Sequence, residues 1–202
     1  MQTSSVLNAT GNAYESYTYT DISTGFFEDA TERFCEHSQK MVFKTQDIEK
    51  PVVNQGYTER SYDIIIAANV LHATRKLDAT LQNVRSLLKP GGFLVLVEVT
   101  GHEVLRLTFI MGGLPGWWLG EEDGRRLHPG ITPMEWDLML QATGFSGVDL
   151  VYHDLADGRK HCTSLLVSQA VDDRYLGLRD PLPAMADLAQ EAPLLVIGGR
   201  TL

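Results

Sequence analysis

Polar side chains recur at the points where apolar segments of the sequence end. Asp21 follows an alternating aromatic and threonine segment, Asp47 lies near the end of a second apolar segment, and Asn69 follows a third. Ligands of open parallel sheets lie outside the carboxyl ends of the strands, so these positions predict one shared crevice. A carboxylate there can accept both hydroxyls of a ribose, which favours a nucleoside-binding α/β sheet. For Asp21, a helix N-cap or turn aspartate is the alternative.

His72 and Glu98 form a second candidate pair, with residue types that suit proton transfer. A neutral histidine near pH 7 can act as a general base, which contributes about 10²- to 10⁴-fold in rate. Glu98 follows 26 residues later at the end of the next predicted strand, so adjacent parallel strands can bring the two side chains together. The alternatives are a structural histidine at a strand end and a glutamate that accepts a hydrogen bond from a nearby backbone N–H.

The elements that would position these residues alternate between strands and helices. Segment 62–68 is a nearly continuous apolar run, which predicts a central parallel strand covered on both faces. A proline and two glycines at 90–92 end the helix that follows it. The order predicts a mainly parallel sheet with right-handed crossovers. The predicted strands of this part are 15–20, 41–48, 62–68 and 93–99, and the predicted helices begin near Ser23 or Thr24 and near Leu77.

The last third of the sequence follows a different pattern. A capping box at 132–135, with proline at the first helical position, predicts a helix that ends at Gly144. Two further strands, 148–152 and 163–170, flank a turn signal at 156–158. Such a hairpin would add an antiparallel edge to the parallel sheet.

Composition restricts the classes of function. The 202 residues suffice for one domain, and the formal net charge of −9 without a basic cluster argues against a nucleic-acid surface. Two cysteines without metal spacing favour a reducing, cytoplasmic compartment and no metal. The most apolar stretch, 105–119, is shorter than the roughly 20 residues that a membrane helix needs, so no membrane partner is expected.

Five motifs, read together, resemble the C-methyltransferase domain of fungal highly reducing polyketide synthases, a class I S-adenosylmethionine-dependent methyltransferase. The resemblance covers about 17–170, and the paired tryptophans are its most specific part. The motifs are Tyr-Thr-Tyr-Thr-Asp-Ile-Ser at 17–23, Asn-Val-Leu-His-Ala-Thr at 69–74, Leu-Lys-Pro-Gly-Gly at 88–92, Gly-Leu-Pro-Gly-Trp-Trp-Leu-Gly at 113–120 and Gly-Phe-Ser-Gly-Val at 144–148.

The resemblance implies a role for each polar residue at a strand end. Asp21 would bind the ribose of S-adenosylmethionine, Asp47 would contact the adenine amino group, and Ile48 would cover the ring. Asn69 would lie next to the cofactor sulfonium, with a turn-closing asparagine as the alternative. For Asp47 the alternative is a solvated turn aspartate.

The resemblance also implies a reaction and an acceptor. His72 would remove the α-proton of a β-ketoacyl chain carried on an acyl carrier protein, and Glu98 would orient the imidazole and support its positive charge. Trp117 and Trp118 would wall the acyl pocket, although a role in the core is an equal alternative. The other domains of a polyketide synthase would be partners.

The same resemblance implies a division of the chain. Residues 1–171 would form a partial methyltransferase domain in which the first strand and its glycine-rich turn are missing. Residues 172–193 would be a linker, and 194–202 would begin a ketoreductase-like structural domain. A non-catalytic remnant or structural module of a synthase is one alternative function. A stand-alone O-methyltransferase acting on a small phenol is the other.

Overall fold

A computed structural model of the chain describes residues 2–101, 105–156 and 161–180. Strands and helices alternate in the order that the sequence predicts for the first half of the chain. The elements are α1 (Gln2–Thr10), β1 (Tyr17–Asp21), α2 (Phe27–Arg33), β2 (Met41–Thr45), β3 (Tyr62–Ala68), α3 (Leu77–Leu87), β4 (Leu88–Val99), α4 (Leu105–Met111), α5 (Pro133–Ala142), β5 (Leu150–His153), β6 (Thr163–Gln169) and α6 (Asp173–Arg179).

The strands form two sheets, and their pairing changes from parallel to antiparallel along the chain. β1 and β2 pair in parallel and form one sheet. The other sheet has the order β3-β4-β6-β5, in which β3 and β4 are parallel while β6 is antiparallel to both β4 and β5. The predicted α/β class, parallel first and antiparallel at its C-terminal end, is confirmed.

The prediction that β3 is a central strand covered on both faces is wrong. In the described part of the chain β3 pairs only with β4, and Ile64 on β3 is 57% exposed. A continuous apolar run indicates burial only if a neighbour covers it, and here the second edge of β3 has no strand partner among the described residues. Side chains connect the two sheets instead, because the Tyr62 hydroxyl donates to Thr18 Oγ1 at 3.3 Å.

The largest core cluster lies between the four-stranded sheet and helices α3 and α5. Leu94, Leu96 and Leu166 from the sheet and Leu81, Trp136 and Leu140 from the helices are fully buried there. Each such side chain contributes about 1.5–3 kcal/mol relative to an exposed position.

Helix α5 begins with the predicted capping box. Thr132 Oγ1 accepts from Glu135 N at 3.3 Å, and Glu135 Oε2 accepts from Thr132 N at 2.7 Å. The box satisfies donors of the first helical turn, which have no partner within the helix. The prediction of this helix is confirmed.

The C-terminal part contains the predicted antiparallel pair and one helix that was not predicted. β5 and β6 form the hairpin, although residues 157–160 of its turn lie outside the described residues. Helix α6 occupies the start of the predicted linker, with Asp172 Oδ1 accepting from Tyr175 N at 3.0 Å at its N-cap. The rest of the linker and the start of a following domain, 181–202, also lie outside the described residues and stay predictions.

Candidate active site

His72 lies in a short 3-10 turn, Leu71–Ala73, directly after β3. The chain reverses just before this turn at Asn69, whose φ of 54° lies in the left-handed region that asparagine tolerates better than most residues. Asn69 N donates to Val97 O at 2.7 Å, which fixes the turn against β4. The Asn69 side chain is exposed. The reversal of the chain at this residue leaves it at the surface.

Glu98 lies on β4, level with this turn. Side chains on a strand alternate between its two faces, so Glu98 continues the buried face of Leu94 and Leu96. β3 ends at Ala68, which is the partner of Val97, so Glu98 comes one residue beyond the end of the pairing. This register brings a carboxylate from the core face of β4 to the residues that follow β3.

His72 and Glu98 form a buried hydrogen-bonded pair. His72 Nδ1 and Glu98 Oε2 are 2.6 Å apart, with the histidine 7% exposed and the glutamate 0% exposed. Glu98 Oε1 also accepts from Val70 N at 3.1 Å and from Leu71 N at 2.8 Å. One Glu98 oxygen contacts the imidazole and the other caps the backbone of the turn, so the structure contains the contact that each interpretation of Glu98 requires. An ionised Glu98 carboxylate can only accept, and this pairing would place the proton on Nδ1 and leave Nε2 as the basic nitrogen.

The two tryptophans lie in different environments. Trp117, in the 3-10 segment Pro115–Asp123, is buried and meets the His72 ring edge-on, with centroids 6.0 Å apart at 73°. Trp118 is 40% exposed, and its Nε1 donates to Gly112 O at 2.8 Å. Of the two, Trp117 therefore borders the imidazole.

Two residues around His72 and Trp117 were not predicted from the sequence: Arg125 contacts His72, and His128 contacts Trp117. The Arg125 guanidinium is buried and Nη1 donates to the His72 carbonyl at 2.7 Å. The His128 ring packs edge-on against the Trp117 ring, with centroids 5.5 Å apart. Their spacing from His72 in the sequence carries no periodic signal. For Arg125, the one available hint was a basic residue next to the specific double-tryptophan motif.

Asp21 lies at the carboxyl end of β1, as predicted, and also takes part in a turn. Its Oδ1 accepts from Ser23 N at 2.9 Å, and Ser23 Oγ in turn accepts from Gly25 N at 3.1 Å. The carboxylate is half-buried, so it remains accessible from solvent. The hydrogen bond that the turn interpretation of Asp21 requires is therefore present, and the residue is partly exposed to solvent.

Asp47 and Ile48 follow β2, which ends at Thr45. Asp47 accepts from Glu49 N at 3.1 Å and pairs with Lys50 at 2.9 Å. The hydrogen bond from Lys50 lowers the pKa of Asp47, against a smaller opposing effect of burial. Ile48 packs against the largest core cluster, and its carbonyl accepts from Asn83 Nδ2 at 2.9 Å.

A cavity of about 430 Å³ opens beside Asp47. Its lining is mainly charged and comes from Asp47, Glu49, Lys50, Arg75, Lys76, Ala79, Thr80 and Glu122. Asp21, Asn69 and His72 do not line it, so the described residues bring together His72, Glu98 and Trp117 but do not gather all the strand-end residues into one cavity. Within the same residues, no cluster of histidine, cysteine or carboxylate side chains has a geometry that would hold a metal. No described helix has the length and apolar character of a membrane span.

Parallel strands joined by helices, an antiparallel C-terminal pair and polar groups at the strand ends define a class I methyltransferase fold. The profile of the family "Methyltransferase domain" matches residues 2–94. The chain is 63% identical over 199 residues, 98% of its length, to a hybrid PKS-NRPS synthetase, iliA, of Neonectria sp. (strain DH2). It is 54% identical over 196 residues, 97% of its length, to the highly reducing polyketide synthase ACTTS3 of Alternaria alternata. The chain spans only 5% and 8% of these two relatives.

Two solved structures give the same result at the level of the fold. The CMeT domain of the citrinin polyketide synthase superposes with a TM-score of 0.73 at 32% identity, over 84% of this chain and 43% of that one. The trans-methyltransferase CalH, solved in complex with SAH, gives 0.73 at 42% identity, over 78% of this chain and 43% of that one. The chain belongs to the family of S-adenosylmethionine-dependent C-methyltransferase domains of polyketide synthases.

Proposed function

We propose that this site methylates the α-carbon of a β-ketoacyl chain carried on an acyl carrier protein, with His72 as the general base and Glu98 as its orienting partner. The observation that carries the proposal is the 2.6 Å hydrogen bond between His72 Nδ1 and the buried Glu98 carboxylate. A structural histidine at a strand end needs no charged partner inside the core. A general base does, because the partner stabilises the imidazolium that proton transfer produces.

In the proposed reaction His72 accepts one proton. An α-C–H bond between the ketone and the thioester breaks, its proton passes to His72 Nε2, and its electron pair becomes the enolate whose carbon accepts the methyl group. Glu98 keeps Nδ1 protonated throughout, so that Nε2 is available in every unprotonated imidazole. General-base catalysis of this kind contributes about 10²- to 10⁴-fold.

The residues at the strand ends fit S-adenosylmethionine by their chemistry. When bound, the cofactor supplies an electrophilic methyl group. Asp21 would hold the ribose hydroxyls and Asp47 the adenine amino group, since carboxylates accept hydrogen bonds from both kinds of donor. Ile48 would cover the adenine ring, and Asn69, which begins the turn that carries His72, would lie near the sulfonium.

Trp117 supports the enolate chemistry by excluding water from one side of the imidazole. Its ring is buried and meets His72 edge-on, so no solvent reaches the histidine through that side. Excluding water strengthens the electrostatic interactions within a site and protects reactive intermediates. Trp118, which is partly exposed, is proposed only for the outer wall of the acyl pocket.

The relatives support the choice of acceptor. They are multidomain polyketide synthases, so the acyl chain is expected on a carrier protein, and the other synthase domains are expected as partners. Methylation of a free phenol needs proton removal from oxygen alone. An acceptor without an acidic C–H therefore distinguishes this alternative from the proposed reaction.

The test measures transfer of a labelled methyl group by the full chain to three acceptors. They are a β-ketoacyl N-acetylcysteamine thioester, its α,α-dimethyl analogue and a small phenol. We expect methylation of the first acceptor alone, because the analogue has no α-proton to remove. Methylation of the phenol or of the dimethyl analogue would contradict C-methylation.

Titration of the same chain with S-adenosylhomocysteine separates binding from turnover. Binding without transfer to any acceptor would support the non-catalytic alternative. Absence of binding would contradict the proposed cofactor site directly.

A further inference from the structure

Arg125 is buried behind the loop that carries His72. Its Nη1 donates to the carbonyl oxygens of His72 at 2.7 Å and Pro129 at 2.9 Å, and Nη2 donates to Thr74 O at 2.5 Å. Two of these three acceptors belong to the loop after β3. The third, Pro129, belongs to the segment 115–131, which we call the cover segment and which also contains Trp117.

Asp123 completes the arrangement around this guanidinium. Arg125 Nε donates to Asp123 Oδ1 at 2.8 Å and Nη2 donates to Oδ2 at 3.1 Å. The same Oδ2 accepts from Leu77 N at 3.0 Å, at the start of α3. The guanidinium thus makes five hydrogen bonds, which matches the five N–H donors that it carries.

We propose that Arg125 is a positioning residue for the general base, an inference that rests on the proposed function. His72 is held at two points, its ring by Glu98 and its main-chain carbonyl by Arg125. Through Asp123 and Pro129 the same guanidinium ties the loop after β3 to the cover segment, so it sets Trp117 and His72 in one relative position. A misplacement of about 1 Å at a reacting group costs about 10²-fold in rate.

The geometry explains why this position requires arginine. A lysine has three donors on one nitrogen and cannot reproduce a planar fork that contacts three carbonyls and a carboxylate. The absence of a side chain at Gly120 leaves space for the Arg125 guanidinium, since a Cβ added there would lie 2.5 Å from Arg125 Cζ. Gly116, in the same 3-10 segment, has nothing within 4 Å of such a Cβ.

Three variants of the full chain test this role. Arg125→Lys keeps the charge but not the fork, Gly120→Ala displaces the guanidinium without changing it, and Gly116→Ala is the matched control. We expect the first two to lower kcat about 10²-fold with the KM for S-adenosylmethionine within about two-fold, and the control to retain the original kcat.

A second readout does not depend on turnover. In the histidine-labelled chain, the proton on His72 Nδ1 is assigned by its loss in His72→Asn. We expect this resonance in the original chain and in Gly116→Ala, and we expect it broadened or absent in Arg125→Lys and Gly120→Ala. A purely structural role would lower thermal stability but leave both the resonance and the kcat of the folded fraction unchanged.

The outcomes separate the two proposals. If the original chain transfers no methyl group to any acceptor, the proposed function fails, while the resonances still decide whether Arg125 positions His72. Unchanged kcat and an unchanged resonance in Arg125→Lys would overturn the positioning role. If circular dichroism shows that Arg125→Lys does not fold, Gly120→Ala decides by the same two measurements.

Discussion

The two sheets of this domain hold their polar strand-end residues in different ways. On the four-stranded sheet, the Glu98 carboxylate is fully buried and contacts the side chain of a residue that follows a different strand. On the two-stranded sheet, Asp21 and Asp47 are half-buried and accept hydrogen bonds from backbone N–H groups only two residues further along the chain. The groups assigned to proton transfer are therefore preorganised by the core, whereas those assigned to the nucleoside stay accessible to a ligand.

This difference is consistent with the roles proposed for the two groups. A buried carboxylate is costly unless donors surround it, and Glu98 has three of them. That cost is acceptable where the partner must be held in one tautomer. A ligand-binding carboxylate must instead exchange water for the ligand, and burial before binding would prevent this.

The largest expected effect comes from His72→Asn. The variant removes the base but keeps a polar side chain, so methyl transfer to the β-ketoacyl thioester should fall by about 10²- to 10⁴-fold. Binding of S-adenosylhomocysteine should stay unchanged, because the residues assigned to the nucleoside lie on the other sheet. If calorimetry shows that His72→Asn also loses S-adenosylhomocysteine binding, the proton-transfer residues and the nucleoside residues are not functionally independent.

Core substitutions compare burial in a central strand and in an edge strand of the larger sheet. Leu96→Ala on β4 empties a fully buried site and should lower the free energy of unfolding by about 2–5 kcal/mol. Ile64→Ala on the open edge of β3 should change it by no more than about 0.5 kcal/mol. Urea unfolding followed by circular dichroism measures both. A similar loss for the two variants would mean that β3 is covered in solution.

Asp21→Asn separates the two roles of this residue. The asparagine oxygen can still accept from Ser23 N, so the turn and the stability should persist. Hydrogen bonds from ribose hydroxyls to a charged group contribute about 1.5–3 kcal/mol, so S-adenosylhomocysteine should bind roughly 10- to 150-fold more weakly. Asp63→Asn, which alters an exposed carboxylate paired with Lys89, serves as the matched control and should leave binding unchanged. Equal affinities of both variants and the original chain for S-adenosylhomocysteine would mean that Asp21 acts only in the turn.

The smallest effect concerns Tyr57, whose hydroxyl donates to Thr45 O of β2 at 3.0 Å and whose cluster packs against Tyr62 and Ile65 of β3. Burial raises the pKa of Tyr57 to about 12. Because the folded state favours the neutral phenol, its contribution to stability is complete below about pH 10 and is lost as the pH rises towards 12.

Tyr57→Phe should therefore cost about 0.5–1.5 kcal/mol at pH 8 through the lost hydrogen bond. The difference in stability from the original chain should shrink between pH 10 and about 12. Urea titrations at three pH values measure it. A stability difference that stays constant across this range would mean that folding does not raise the pKa of the Tyr57 hydroxyl.

The sequence predicted those features that depend on local pattern. Periodicity identified the strands, the capping box identified α5, and the rule that adjacent parallel strands end together placed Glu98 beside His72. Local pattern could not show that β3 lies at an edge, because its burial depends on a neighbouring strand. It also could not separate Trp117 from Trp118, since both have the same neighbours in sequence and their environments differ only in the packed structure.

Arg125 shows the same limit within the candidate site. Its five hydrogen bonds go to one side chain and three main-chain carbonyls. Main-chain acceptors are present at every residue and leave no mark on the sequence. A buried arginine of this kind becomes visible only when the loop it supports has been placed.

The central claim is that His72, oriented by Glu98, removes the α-proton of the acyl chain. Exchange of that proton with deuterated solvent tests it without methyl transfer. The full chain, saturated with S-adenosylhomocysteine, is incubated with the β-ketoacyl thioester, and deuterium uptake is followed above the spontaneous rate. We expect catalysed exchange that falls at least about 10²-fold in His72→Asn. Equal exchange rates for His72→Asn and the original chain would contradict it.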